Sequence, residues 1–130
     1  MIYLKQKNNM KILIVEDEKE IAWVWKEELK TKKHTIKIAK DGEEALKLAK
    51  SFMPDIIILD LILPKKDGIS VLTDLKADPN LKNIPVVVSS NLGDDQNIKK
   101  AYALGIVDYF VKVQHPIYEV IEKVQKYITK

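Results

Sequence analysis

The sequence contains neither cysteine nor arginine. Without cysteine the chain can form neither a disulfide framework nor a thiolate metal site. All 22 basic residues are therefore lysines, which lack the planar guanidinium that reads guanine edges or clamps carboxylates. Because these lysines are spread along the chain, as on a solvated surface, the sequence disfavours a nucleic-acid partner.

Long apolar runs are missing as well. No stretch approaches the roughly 20 apolar residues of a membrane-spanning helix, and the N-terminus lacks the apolar core of a signal peptide. We therefore predict a cytoplasmic chain with no membrane partner. A length of 130 residues, 46% hydrophobic and 32% charged content and a net charge of +3 are typical of one soluble globular domain.

The chain divides into a short polar start and a patterned remainder. Residues 1–9 are mostly polar and show no periodicity, so we predict a flexible N-terminal arm followed by one domain over residues 10–130. In that domain, short β-branched runs alternate with segments of helical periodicity. Strands are expected at 11–16, 35–40, 55–60, 84–90 and 107–112, and helices at about 17–33, 41–52, 69–77, 95–104 and from about 116 onward.

Two of the predicted strands differ in character. The alternating run at 35–40 predicts an edge strand, whereas the continuously apolar run at 55–60 predicts a central one. Alternation of strands and helices predicts an α/β fold in which helices cover both faces of a parallel sheet. In such folds the ligand site lies beyond the carboxyl ends of the strands.

Reactive side chains follow the predicted strands at those ends. They are Glu16 and Asp17 after the first strand, Asp60 after the third, Ser90 after the fourth and Lys112 after the fifth. Clustered carboxylates repel one another unless a cation joins them, and Mg²⁺ is a hard ion that suits such oxygen ligands. With the cation bound, Asp60 can stay ionised and attack phosphorus. Lys112 would neutralise charge on the transferred group, and Ser90 would donate a hydrogen bond to it.

Four segments carry a resemblance to a known family: "ILIVEDE", "IIILDLILPKKDG", "IPVVVSS" and "VDYFVK". In this order and spacing the chain resembles the receiver domain of two-component response regulators from Met10 to its end. The resemblance implies a flavodoxin-like, doubly wound sheet of five parallel strands in the order 2-1-3-4-5, with five helices. Because the chain ends soon after the fifth helix, we expect a stand-alone receiver similar to chemotaxis regulators, or a piece of a longer protein.

The resemblance also implies roles for the acidic residues. Asp60 is the implied phosphoacceptor of a phosphoprotein that forms an aspartyl phosphate. Asp17, Asp60 and the backbone carbonyl of Ile62 are the implied direct ligands of Mg²⁺. Glu16 would act on the ion largely through water.

The catalytic set implied by the resemblance is Asp60, Lys112 and Ser90. A histidine kinase or histidine phosphotransfer protein would supply the phosphoryl group, so the chain is not an enzyme in the usual sense. Phosphorylation would draw Ser90 inward, and Tyr109, the switch aromatic, would rotate into the vacated space. The surface of the fourth helix, fifth strand and fifth helix would then change. That change would serve an unidentified downstream protein, a phosphorelay or a homodimer.

Several positions depart from the family pattern. Val113 stands where proline is usual, so a cis bond is not expected and the following loop can take another path. Asn91 stands where a small residue is usual and would narrow access to the phosphoryl group. Ile62 and Leu92 cannot orient an attacking water, so we expect a long-lived aspartyl phosphate.

Four further side chains complete the set of candidates. Trp25 is predicted on the core face of the first helix, and Trp23 on its opposite side, where it is a candidate contact for a kinase. His34 and His115 lack the spacing of metal ligands, so both are predicted to be surface residues.

Three other functions remain open at this point. A phosphatase of the haloacid-dehalogenase type would need a second aspartate at the position of Ile62 and a cap domain. A flavin-binding flavodoxin-like module would need a hydroxyl- and glycine-rich loop where "EDEKE" stands. An unphosphorylated pseudo-receiver that dimerises conflicts with the complete site but is kept open by Val113 and Asn91.

Overall fold

The computed structural model describes residues 9–31 and 33–128. The predicted arm lies almost entirely outside the described residues, so its separation from the domain stays a prediction. Strands and α-helices alternate along the described chain as β1 (Lys11–Val15), α1 (Lys19–Lys30), β2 (Thr35–Ala39), α2 (Gly42–Phe52), β3 (Ile56–Leu59), α3 (Gly68–Ala77), β4 (Val86–Ser90), α4 (Asp95–Ala103), β5 (Asp108–Val111) and α5 (Ile117–Ile128). A single 3₁₀ turn, Lys112–Gln114, connects β5 to α5.

The five strands form one parallel sheet in the order β2-β1-β3-β4-β5. This order confirms the predicted doubly wound fold, with β3 at the centre and β2 at an edge. All residues of β3 are buried, because helices cover both of its faces. In β2, exposed residues alternate with half-buried ones up to the buried Ala39, as expected for an edge strand.

Two apolar layers cover the sheet, since successive strand residues point to opposite faces. Leu13 and Leu59 pack into the layer beneath α2, α3 and α4. Ile58 packs into the other layer, beneath α1 and α5, together with Trp25. Trp25 is 1% exposed and Trp23 is 62% exposed, which confirms the predicted faces of α1.

Aspartates begin three of the helices. Asp41, Asp67 and Asp94 are the N-cap residues of α2, α3 and α4, and each side chain accepts a backbone N–H from the first turn. Such a cap contributes about 1 kcal/mol. These helices therefore begin at or close to the residues that the sequence pattern indicates.

The prediction of a surface position is wrong for His34. Its side chain is only 7% exposed, and its Nδ1 accepts the backbone N–H of Met10 at 3.1 Å. The N–H of Thr35 donates to the Met10 carbonyl oxygen at 2.9 Å. The imidazole thus completes the pairing at the amino ends of β1 and β2. Lys33 precedes it and Thr35 follows it, so no apolar run marks this position.

No helix within the described residues is both long enough and apolar enough to cross a membrane.

Candidate functional site

Three carboxylates meet at the carboxyl edge of the sheet, as the strand-end pattern predicts. Glu16 follows β1 and Asp60 follows β3, and these strands pair with Val15 opposite Leu59. Glu16, Asp17 and Asp60 each place a carboxylate oxygen within 4.8 Å of the others. Glu16 is 4% and Asp60 is 5% exposed, whereas Asp17 lies at the surface. Two of the three carboxylates are therefore buried, and the third is exposed to solvent.

Lys112 joins the two buried carboxylates. Its Nζ lies 2.6 Å from Oε1 of Glu16 and 2.7 Å from Oδ2 of Asp60, and its side chain is 14% exposed. Lys112 directly follows β5, and the pairing of Val111 with Ser90 brings it to this edge. If all four groups are ionised, one ammonium faces three carboxylates and the cluster keeps an excess of negative charge.

The pKa of Glu16 is shifted mainly by its burial. Burial raises it to about 7; the hydrogen bond from Lys112 opposes the rise, and the charge of Asp60 adds to it. Burial lowers the pKa of Lys112, but its hydrogen bonds to Asp60 and Glu16 outweigh burial, so the net shift is upward. Lys112 therefore stays charged, while Glu16 is easily protonated when no second cation is present.

The donor set fits a hard divalent cation. Such ions prefer carboxylate and carbonyl oxygens, and the two positive charges of one divalent cation would balance the three carboxylates and the Lys112 ammonium. The backbone N–H of Ile62 donates to Oδ1 of Asp60 at 3.0 Å, which fixes the start of the loop after β3. A ligand role for the Ile62 carbonyl stays a prediction.

Two close backbone contacts hold this loop in place. The N–H of Gly68 donates to the Leu61 carbonyl at 2.9 Å, and a Cβ at Gly68 would lie 2.6 Å from the Asp60 carbonyl oxygen. Gly42, at the start of α2, leaves no room for a Cβ beside the Lys66 carbonyl. Gly68 ends one of the four segments that carry the family resemblance, whereas no sequence pattern marks Gly42, because only packing brings α2 against the loop.

Ser90 and Tyr109 meet at the backbone of one residue. Ser90 is fully buried at the end of β4, and its Oγ accepts the N–H of Leu92 at 3.3 Å. The Tyr109 hydroxyl donates to the Leu92 carbonyl oxygen. Burial raises the pKa of Tyr109 to about 12, and the charges of Asp94 and Asp60 add to the rise. Within the described residues, no hydrogen bond joins Ser90 to Asp60.

The segment after Lys112 forms one side of a groove that the sequence pattern does not show. Val113 is 80% exposed in the 3₁₀ turn, and no peptide bond among the described residues is cis. His115 is half-buried rather than a plain surface residue, with Nδ1 3.1 Å from Glu119 and its ring edge-on to Phe110. A groove of about 290 Å³ between α1 and α5 includes Lys112 and His115 in its walls. Its walls come from distant parts of the sequence, so only the fold assembles it.

Comparison with known proteins agrees with this arrangement. A family model described as the response regulator receiver domain matches residues 12–125. Response regulator Rcp1 of Synechocystis sp. is 38% identical over 110 residues, which cover 78% of this chain and 75% of Rcp1. The probable transcriptional regulator ycf27 of Guillardia theta is 37% identical over 106 residues, which cover 82% of this chain. The chain spans only 41% of the length of that second relative.

Solved structures are similar over nearly the whole chain. The Mn²⁺-bound form of response regulator Rcp1 matches with a TM-score of 0.83 and 32% identity, over 91% of this chain and 93% of that one. The phosphorylated cyanobacterial phytochrome response regulator RcpA matches with a TM-score of 0.82 and 34% identity, over 92% of this chain and 93% of that one.

Proposed function

Because this chain belongs to the response regulator receiver domain family, we propose that it accepts a phosphoryl group on Asp60 with the help of Mg²⁺. The donor is a phosphohistidine on a histidine kinase or histidine phosphotransfer protein. The observation that carries the proposal is the ion bridge from Lys112 to Glu16 and Asp60, with Asp17 beside it. The family is one of signalling domains rather than of classical enzymes.

In the transfer, a carboxylate oxygen of Asp60 forms a bond to phosphorus. The bond from phosphorus to the histidine nitrogen breaks, and the nitrogen keeps the electron pair. Lys112 already touches Asp60, so its ammonium is placed to pair with an oxygen of the transferred group. Mg²⁺, held by Asp17, Asp60 and the Ile62 carbonyl with Glu16 acting through water, would supply positive charge against the phosphoryl oxygens. The Mn²⁺-bound form of Rcp1 and the phosphorylated RcpA support both parts of the proposal.

Ser90 and Tyr109 are the proposed switch. The Oγ of Ser90 accepts a hydrogen bond from Leu92 and can also donate its own proton to the phosphoryl group. Movement of Ser90 would disturb the Leu92 backbone, which the Tyr109 hydroxyl contacts. We infer that the surface of α4, β5 and α5 then changes for a downstream protein, a homodimer or phosphorelay. Trp23, exposed on α1, is the proposed contact for the phosphodonor.

Intact-protein mass after incubation with Mg²⁺ and acetyl phosphate tests the acceptor. The wild type and the control Asp95→Asn, which changes an exposed aspartate of α4, should each gain one phosphoryl group. Asp60→Asn should gain none, and a gain in that variant would contradict the assignment. If the wild type binds Mg²⁺ but gains no phosphoryl group, the Asn91→Ala variant tests whether the side chain of Asn91 blocks access to Asp60. Uptake in that variant would show blocked access, and continued failure would contradict acceptance from a small donor.

We also propose that the aspartyl phosphate is long-lived. Ile62 and Leu92 stand where a polar side chain would orient the attacking water. Ile62 is half exposed, so a polar replacement there would fit without repacking the core. The rate at which the mass label disappears after removal of the donor measures the lifetime. Ile62→Asn should lose the label faster than the wild type, and rapid loss from the wild type would contradict the proposal.

A further inference from the structure

One carboxylate at the amino end of β5 receives hydrogen bonds from three elements. Oδ1 of Asp108 lies 3.3 Å from the Tyr102 hydroxyl of α4, and Oδ2 lies 2.9 Å from the Tyr127 hydroxyl of α5. Oδ1 also accepts the backbone N–H of Tyr109 at 2.9 Å. Asp108 therefore ties the last turn of α4 and the last turn of α5 to β5.

A second series of bonds leads from the same place to the functional site. The hydroxyl of Tyr109 donates to the Leu92 carbonyl, and the N–H of Leu92 donates to Oγ of Ser90. Ser90 ends β4, which pairs with β3, and Asp60 directly follows β3. The path from Asp108 through Tyr109 and Leu92 thus ends on the strand next to the one that carries Asp60.

The two helix contacts of Asp108 come from neutral donors. Burial raises the pKa of Tyr127 to about 12, and the hydrogen bond to Asp108 adds to the rise. Burial and the charge of Asp108 also raise the pKa of Tyr102. Both phenols therefore keep their protons and remain donors. Hydrogen bonds to a carboxylate depend on angle as well as distance, so they define helix position better than a loose surface ion pair does.

We propose that Asp108 is a positioning residue that couples the ends of α4 and α5 to each other and to the link formed by Tyr109, Leu92 and Ser90. Its use in signalling rests on the proposed function, whereas the coupling itself does not. A displacement of Leu92 would loosen the anchor of Tyr109. Through Asp108, it would then reach both helices together.

Amide hydrogen exchange on the full, unphosphorylated chain tests the coupling. Tyr127→Phe removes a hydroxyl from α5, yet it should speed exchange in the last turn of α4 by about threefold or more. Tyr102→Phe should have the reciprocal effect in the last turn of α5. Tyr118→Phe is the matched control, because Tyr118 is 61% exposed on α5 and should change neither turn. The amides of β1 and β3 serve as an internal reference and should not change.

Replacement of Asp108 itself gives the second part of the hydrogen-exchange experiment. Asp108→Ala should speed exchange at the ends of both helices. Asp108→Asn should restore slow exchange at both, since its amide can accept from one phenol and donate to the other. The coupling is overturned if Tyr127→Phe affects α5 alone. It is equally overturned if exchange rises by the same factor in β1 and β3, because the hydroxyls would then be only local or general stabilising contacts.

Phosphoryl uptake by the same proteins separates this inference from the proposed function. Reciprocal effects of the two tyrosine variants, with no uptake by the wild type, would contradict the proposed function and support the coupling. Uptake by the wild type, with no reciprocal effects, would overturn the coupling and leave the proposed function supported.

Discussion

The two edges of the sheet hold their polar groups in different ways. At the carboxyl edge, Glu16 and Asp60 are almost fully buried and share one charged partner, Lys112. At the amino edge, Asp108 accepts from tyrosine hydroxyls and His34 accepts from a backbone N–H. The carboxyl edge keeps an excess of negative charge, whereas the helix contacts and strand pairing at the amino edge use neutral donors.

This difference matters because an unbalanced buried charge is costly and a neutral hydrogen bond is not. Binding of a cation or attachment of a phosphoryl group at the carboxyl edge strongly changes the electrostatic free energy of the charged cluster there. The imbalance is smaller around Asp108, where a single half-buried carboxylate accepts three hydrogen bonds. The contrast supports the proposed chemistry at one edge and the proposed positioning role at the other.

The largest expected effect is that of Lys112→Met. Without the ammonium, Glu16 and Asp60 would face each other unpaired. At a pH above the raised pKa of Glu16 and without divalent metal, the free energy of unfolding should fall by about 3–5 kcal/mol. Urea unfolding measures the loss. In the control Lys123→Met, an exposed pair with Glu119 is removed, so the loss should be about 1 kcal/mol or less. Equal losses in the two variants would contradict the contrast between the edges.

Gly68→Ala should have the next largest effect. The new Cβ would overlap the backbone of Asp60 and Leu61, so the loop must shift, at a cost of about 1–3 kcal/mol in unfolding free energy. Phosphoryl uptake should fall in parallel. In the control Gly93→Ala the Cβ meets a methyl group of Val111 at 3.1 Å, which can move, so stability and uptake should change less. Normal uptake by Gly68→Ala would show that the contact does not position Asp60.

Addition of Mg²⁺ should stabilise the protein through the carboxyl edge. At about tenfold above its dissociation constant, the ion should raise the free energy of unfolding by about 1.4 kcal/mol. Thermal unfolding with and without the ion measures this gain. Asp17→Asn removes a predicted ligand and should reduce the gain, while Asp95→Asn should keep it. A gain that survives in Asp17→Asn would place the ion elsewhere.

The smallest expected effect is a pH dependence from the amino edge. Burial lowers the pKa of His34 below its ordinary value of 6.5, so the folded state binds the proton less tightly than the unfolded state. The contribution of neutral His34 to the free energy of unfolding is fully present above pH 6.5. It is lost as the pH falls toward the lowered pKa, by at most about 1.4 kcal/mol per pH unit. Urea unfolding of the wild type and of a variant without this imidazole measures the loss as a difference. The raised pKa of Glu16 gives both proteins an opposite, Mg²⁺-dependent trend over the same range, and this trend cancels in the difference.

His34→Asn provides the comparison for that dependence. Asparagine keeps an acceptor for the Met10 N–H but does not titrate, so its stability should fall less on acidification. Parallel pH curves for the wild type and the variant would show that His34 does not carry the effect.

The carboxyl edge could be predicted because its residues lie where periodicity ends. Asp60 follows an unbroken apolar strand and Lys112 directly follows β5, and parallel strands bring such positions to one edge. His34 could not be placed in the same way, because a titratable residue between Lys33 and Thr35 is not part of an apolar run. The close contact of Gly42 could not be predicted either, since it depends on a loop that follows a different strand.

The sequence by itself determined the order of strands and helices, the direction of each apolar face and the residues at the strand ends. These features depend on local periodicity, which a single segment displays without its neighbours. Only the tertiary structure decided the bridge of Lys112 to Glu16 and Asp60, the burial of His34 and the convergence of two tyrosines on Asp108. Those contacts join residues far apart along the chain, and their energies depend on the distance and burial that packing creates.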